Sequence, residues 1–482
     1  ELGVCYYPEH WPEDMWISDA QSMYKNGIRW VRIAEFAWSR IEPEPKNFDW
    51  KWLDKAVDIL GNAGLKIVMC TPTATPPRWL INQMPDMLAV DQNGRKRKFG
   101  SRKHYSFSHK GYQKESQRIT QAVAERYGNN SFIQAWQTDN EFGCHETTYS
   151  WCQSSLQEFR NWLKIKYQSI EKLNEEWGNV FWSMEYSSFE DIDLPNLTVT
   201  EANPAHHFAF RRFSSDQVKN FNSQQVKIIN QFSPNRPVSH NYMGHFIEFD
   251  HYKVSEDLDI AAWDSYPLGF LQNMQSIARE DKKLLFECYN IGDPDFQAYH
   301  HDLYRGMGRL WVMEQQPGPV NWAKYNPIPL PGAVRMWTWE AFAHDAEVVS
   351  YFRWRQAPYA QEQMHAGLMH CDNSPAMGSK EALQVSKEIQ EIELPPTEKA
   401  EIALIHDYES CWMTEIDGQT QDFHYTRLML DFYKSIRING GSLDIIGKNT
   451  DFTGYKLIII PSFVHLDEEI FSRITLSGAK IL

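Results

Sequence analysis

The first hundred residues alternate short apolar runs with stretches whose apolar positions recur at helical spacing. VCYY (4–7) is a continuous apolar run, Pro12 to Lys25 reads as a helix that closes at Gly27, and IRWVRIAEF (28–36) is a second run. From Asp49 onward Leu53, Ala56, Val57 and Leu60 share one helical face, the pattern closes at Gly64, and LKIVMC (65–70) follows. Each glycine stands between a helix and a strand, where a left-handed cap is needed and the missing Cβ removes its steric cost. A repeated helix–glycine–strand unit is the βαβ rhythm of a parallel sheet.

The rhythm continues with longer insertions. Strands are predicted at FIQAWQT (132–138), PVSHNY (237–242), LDIAAWDSYP (258–267), LWVMEQ (310–315) and VVSYFRW (348–354). With the first three these make eight, which predicts a (β/α)8 TIM barrel with long loops over residues 1–393. The competing open doubly wound sheet lacks a G-x-G-x-x-G fingerprint after its first strand. LPPTEKAE (394–401) is a proline-bearing polar break, after which EIALIHD (401–407), a helix at 426–436, SLDIIG, LIIIP (457–461), a helix at 468–476 and AKIL restart an α/β pattern. This predicts a second, flavodoxin-like α/β domain over 394–482, and its stop inside a strand predicts a natural protein that continues further.

Composition narrows the function. Acidic residues number 63 against 48 basic ones, a net charge of −15, which disfavours a broad nucleic-acid-binding face. Aromatic residues make up 14% of the chain, including 19 Trp, and flat rings suit either a large core or a surface that stacks on sugars. No run approaches the length of a membrane helix and the first residues lack a signal-peptide pattern, so no membrane partner is expected. The seven cysteines are odd in number and never spaced C-x-x-C, the usage of reduced thiols in a cytoplasmic enzyme.

In a barrel, catalytic groups sit at the C-terminal ends of strands. Those ends carry Glu35, Asp139-Asn140-Glu141, Asn241, Asp264 with Tyr266, and Glu314. Glutamates after strands four and seven face each other across the mouth, the arrangement glycoside hydrolysis requires. An acid directly after the apolar run LWVM is costly to desolvate unless it has a partner or a task. Trp322, Trp263, Trp354 and Tyr266, at or beside strand ends, are the aromatic residues expected to line a sugar pocket. The basic run at 94–103 is read as a solvated loop.

Seven ordered segments then carry a specific resemblance: CYYPEHWPED, WQTDNEFG (136–143), FNSQQVKIIN (221–230), WDSYPLG (263–269), AYHHDLYRG (298–306), VMEQQPGPVNW (312–322) and FRWRQAPYAQEQMHAG (352–367). Together they resemble the family 42 glycoside hydrolases, whose named activity is β-galactosidase. The resemblance implies a retaining, cofactor-free mechanism on terminal β-galactosyl units, with Glu314 matching the nucleophile and Glu141 the acid/base. It also implies that Asn140 bonds the sugar 2-hydroxyl, that Arg102 lies near the galactosyl unit, that Trp322 forms a subsite wall, and that Glu362 and His365 bind the 4- and 6-hydroxyl side. Tyr266 is expected to support the nucleophile, and Arg102 or Tyr266 to keep it ionised.

The second domain resembles the family's trimerisation domain, which implies a homotrimer. Related sugars, an α-L-arabinopyranoside or β-D-fucoside, are the alternative substrates, and a non-catalytic carbohydrate-binding barrel is the rival from another class. One departure stands out. Many members of the family it resembles carry a four-cysteine zinc cluster at positions held here by Ser106, Ser150, Cys152 and Ser155, and one thiolate cannot replace four soft ligands, so no structural zinc is expected.

Overall fold

The computed structural model describes residues 1–482 apart from 273–281, 396, 419, 421–422 and 465. Eight parallel strands, β1 (Leu2–Cys5), β2 (Ile28–Ile33), β3 (Lys66–Cys70), β4 (Ile133–Gln137), β5 (Val238–Met243), β6 (Ile260–Ser265), β7 (Arg309–Gln315) and β8 (Val348–Tyr351), close into a barrel in sequence order. Val4 of β1 pairs with Tyr351 of β8 to complete the ring. Gly27 and Gly64 both take the left-handed conformation, φ 84° and 90°, before β2 and β3.

Alternation along the strands sorts the side chains into two populations. Trp30, Val68, Ala135, Ile260, Ala262, Trp311, Met313 and Val348 fill the barrel lumen. Their neighbours Val31, Ile67, Ala261, Val312 and Val349 point outward into the core beneath the helices. The Trp30 and Trp311 rings meet edge-on at 4.7 Å and plug the floor; truncating Trp311 to Ala would cost about 3–5 kcal/mol. Two positions further along the same inward rows stand Arg32, Gln137 and Asp264, all buried. The lumen is thus apolar at the bottom and polar at the mouth.

β7 breaks the alternation. Val312 pairs with Trp263, but the next pair is Glu314 with Asp264, a register shift that β7 repeats against β8. A bulge at Met313 therefore lets Met313 stay in the lumen while Glu314 also turns to the mouth.

A second parallel sheet, β9 (Ile402–Ile405), β10 (Leu443–Ile446), β11 (Leu457–Ile459) and β12 (Lys480–Ile481), runs in the order β10-β9-β11-β12, as in doubly wound domains. It docks on the barrel helix Pro294–Arg305, whose Tyr299 hydroxyl meets His406 Nδ1 at 2.7 Å and whose Asp302 accepts from Tyr433. Leu404, Tyr433 and Ile445 join the same hydrophobic cluster as the barrel. Among the described residues no helix is long and apolar enough to cross a membrane.

Candidate active site

The loop after β4 is held from all sides. Asp139 is buried, accepts bonds from the Thr73 (2.6 Å) and Tyr105 (3.0 Å) hydroxyls and from Asn140 N (2.7 Å), and pairs with buried Lys103. One turn on, Phe142 N donates to His240 Nε2 at 3.1 Å, with His240 Nδ1 2.8 Å from the Thr138 carbonyl. Burial drives the pKa of His240 down to about 3, so the ring is neutral and its Nε2 is free to accept. These anchors hold Asp139 and Glu141 at φ 50° and 42°, a left-handed backbone that non-glycine residues adopt only where the surroundings over-determine it.

Glu141 Oε2 receives Arg102 Nη2 and Asn140 Nδ2, each at 3.1 Å. Across the mouth Glu314 Oε1 receives Arg32 Nη2 at 2.6 Å and Oε2 receives the Tyr266 hydroxyl at 2.5 Å. One oxygen from each of Glu141, Asp264 and Glu314 lies within 4.8 Å of the others. Burial pushes Glu314 up to about 7; Arg32 opposes the shift, the Glu141 charge adds to it, and the Tyr266 hydroxyl lowers it again.

The remaining walls are aromatic and polar. Trp322 is 43% exposed, its ring set edge-on to Tyr266 at 5.6 Å and to Phe270 at 5.7 Å. It lies over Gly269, where a Cβ would come within 2.4 Å of the indole. His365 is buried between Tyr266 and Phe352, ring centroids 5.7 and 4.9 Å away, and Glu362 sits at the rim, 3.7 Å from Arg353. All eight residues singled out in the sequence, Arg102, Asn140, Glu141, Tyr266, Glu314, Trp322, Glu362 and His365, thus fall around one mouth.

Several details differ from the expectation. The cation on Glu314 is Arg32, and Arg102 faces Glu141 instead. Arg102 and Lys103, the end of the basic run, point into the protein rather than into solvent. Trp263 faces outward from β6: it is fully buried and its Nε1 donates to His301 at 3.1 Å. Adjacent strand residues face opposite sides, so Trp263 and Asp264 cannot both serve the mouth. Trp354 is likewise buried in the main core. Sequence reading missed Arg32, whose guanidinium also pairs with Glu35 at 2.9 Å, and Tyr7, whose hydroxyl donates to Glu35 at 2.6 Å. The available signal was a lone arginine at an inward position two residues beyond Trp30.

The four positions at which the resemblance placed a zinc cluster come together. Cys152 Sγ lies 3.4 Å from both Ser106 and Ser155 Oγ, the two hydroxyls are 3.3 Å apart, and Ser150 Oγ accepts from Val90 N. One sulfur among hydroxyls that already bond one another does not fit a zinc that selects soft ligands.

A closed parallel barrel with two buried glutamates facing each other at its C-terminal mouth, each fixed by an arginine, defines a glycoside hydrolase. Residues 5–392 match the family 42 glycoside hydrolases, described as beta-galactosidase, and residues 400–477 match the beta-galactosidase trimerisation domain. The chain belongs to glycoside hydrolase family 42. It is 50% identical over 470 residues to a beta-galactosidase of Thermus thermophilus, covering 97% of this chain and 72% of that one. The crystal structure of beta-galactosidase from the psychrophilic Marinomonas ef1 superposes with a TM-score of 0.97 at 49% identity, covering 100% of this chain and 75% of that one. The beta-galactosidase of the Antarctic haloarchaeon Halorubrum lacusprofundi gives a TM-score of 0.95 at 42% identity, over 98% and 71% of the two chains.

Proposed function

We propose that the protein is a retaining exo-β-galactosidase in which Glu314 is the nucleophile and Glu141 the acid/base. The observation that carries this is the carboxylate spacing: an oxygen of Glu141 lies within 4.8 Å of one of Glu314, which favours the short separation of about 5–5.5 Å typical of direct attack over the about 6.5–9.5 Å of an inverting enzyme. Glu314 attacks the anomeric carbon while Glu141 passes its proton to the leaving oxygen, giving a covalent galactosyl-enzyme. Water, deprotonated by Glu141, then attacks the same carbon, releases Glu314 and returns the proton to Glu141. Arg32 and the Tyr266 hydroxyl keep Glu314 ionised and aimed. Arg102 and Asn140 bond Oε2 of Glu141, so Oε1 is the oxygen that delivers the proton.

Asn140, beside Glu141 and donating to its Oε2, bonds the 2-hydroxyl on the carbon next to the reacting centre, a contact that strengthens as oxocarbenium character develops. Trp322 supplies an apolar wall for the sugar ring, while Glu362 and His365 receive the hydroxyls on the far side. Hydrolysis of a chromogenic β-galactoside tests the reading: the native protein turns over, and Glu314→Gln loses at least about 10³-fold in kcat. Near-native turnover by that variant would overturn the assignment.

We place the domain boundary between residues 393 and 394, supported by family matches that end at 392 and resume at 400. The trimerisation-domain match supports a homotrimer, and seven free cysteines, six of them buried, support a reducing, cytoplasmic setting.

A further inference from the structure

Glu141, Asp264 and Glu314 bring carboxylate oxygens together at the mouth, and among the described residues a cation pairs with each glutamate but not with Asp264. Arg32 serves Glu314 and Arg102 serves Glu141. Asp264 is fully buried; its Oδ2 accepts from Asn241 Nδ2 at 2.7 Å, and no donor among the described residues reaches Oδ1. An ionised Asp264 would leave a charged oxygen buried, without a donor, beside two other carboxylates. A protonated one needs no counter-ion.

We infer that Asp264 is held as the neutral carboxylic acid and serves as a positioning residue for the acid/base loop. The path is direct. Asp264 orients Asn241, whose Oδ1 accepts from Glu141 N (3.2 Å) and Gln137 Nε2 (2.9 Å), and whose Nδ2 also donates to Asn140 Oδ1 (3.0 Å). One buried amide therefore fixes both the Glu141 backbone and the Asn140 side chain, and Asp264 fixes that amide. Neutrality has a second consequence, because a charge on Asp264 would favour the protonated form of Glu314 and disable the nucleophile. The titratable groups that act electrostatically on Asp264 or feel its charge are Cys5 of β1, Arg32 of β2, Glu141, Tyr266, Glu314 of β7 and, from behind the barrel, Tyr304 of the helix Pro294–Arg305. Burial first, then the Glu314 and Glu141 charges, hold the Asp264 carboxyl well above the usual carboxylate range, with Arg32 acting against them.

The inference rests on the roles given to Glu141 and Glu314, and its test separates the two. Asparagine keeps the acceptor for Asn241 and cannot ionise. Asp264→Asn in the full chain is expected to keep kcat/KM within about tenfold and to leave the acid limb of its pH profile unmoved. Asp264→Ala, which strands the Asn241 amide, should fall at least about tenfold further in kcat, and alanine matching asparagine would overturn the positioning role. A downward shift of the acid limb by about one unit or more in Asp264→Asn would show that Asp264 is ionised in the native enzyme and overturn the inference, as would a loss beyond about tenfold. The native enzyme labelled with carboxyl-¹³C aspartate supplies a readout independent of activity and of variant folding. A protonated-carboxyl infrared band should persist at pH 8, and its absence would overturn the inference whatever Glu314 does.

Discussion

Arg32 Nη2 lies 2.6 Å from Glu314 Oε1 and 2.9 Å from Glu35 Oε1, so one fully buried guanidinium serves two carboxylates. Removing it leaves each with a tyrosine hydroxyl as donor but without this cation. Arg32→Gln should destabilise the protein by about 3–5 kcal/mol, the usual cost of breaking a buried pair on one side, measured by denaturant unfolding. In the same variant the acid limb of kcat/KM should move to higher pH, because Glu314 loses the cation that favours its ionised form. An unchanged limb would mean that Arg32 does not control the nucleophile.

The pH dependence of the native enzyme follows from Glu314. As the proposed nucleophile Glu314 must be ionised, and burial raises its carboxyl to about 7, so kcat/KM should fall as pH drops below that value. Tyr266→Phe removes a charge-assisted hydrogen bond worth about 1.5–3 kcal/mol, so kcat should drop roughly 10- to 100-fold and the acid limb should rise further. A limb near the ordinary glutamate range would contradict the assignment.

Gly269 sets the position of Trp322. A methyl at residue 269 would lie 2.4 Å from Trp322 Cη2 and push the indole into the site. Gly269→Ala should therefore raise KM for a β-galactoside several-fold while changing kcat less, and steady-state kinetics checks it. Equal losses in kcat would move Trp322 from the binding wall into the chemistry.

Ser106, Ser150, Cys152 and Ser155 converge without the thiolates a structural zinc requires. Elemental analysis should find no stoichiometric zinc in the native protein. The triple variant Ser106→Cys, Ser150→Cys, Ser155→Cys restores four sulfurs and is expected to acquire about one zinc per chain. One equivalent in the native protein would refute the substitution argument.

Much of this was legible because apolar runs bounded by glycine mark parallel strands, and catalytic groups collect at strand ends. Glu141 and Glu314 both stand out on that basis. What sequence could not show is side-chain direction where alternation fails. Trp311 and Met313 lie in the lumen, so strict alternation would turn Glu314 outward; only the bulge at Met313 turns it in. Register has the reverse effect at Trp263, which stands beside Asp264 in sequence yet packs against His300 and His301 behind the barrel. Arg32 was overlooked because IRWVRI reads as an apolar strand, and its partner Glu314 is 282 residues away.

The proposed double displacement passes through a covalent intermediate on Glu314. Incubation with an activated 2-deoxy-2-fluoro-β-galactoside slows release of the galactosyl-enzyme, and mass spectrometry of the digested protein locates the sugar. Stoichiometric label is expected on the peptide carrying Glu314, with β-configured galactose as the first product of normal turnover. Label on Glu141 or any other residue, or an α-configured first product, would contradict that mechanism.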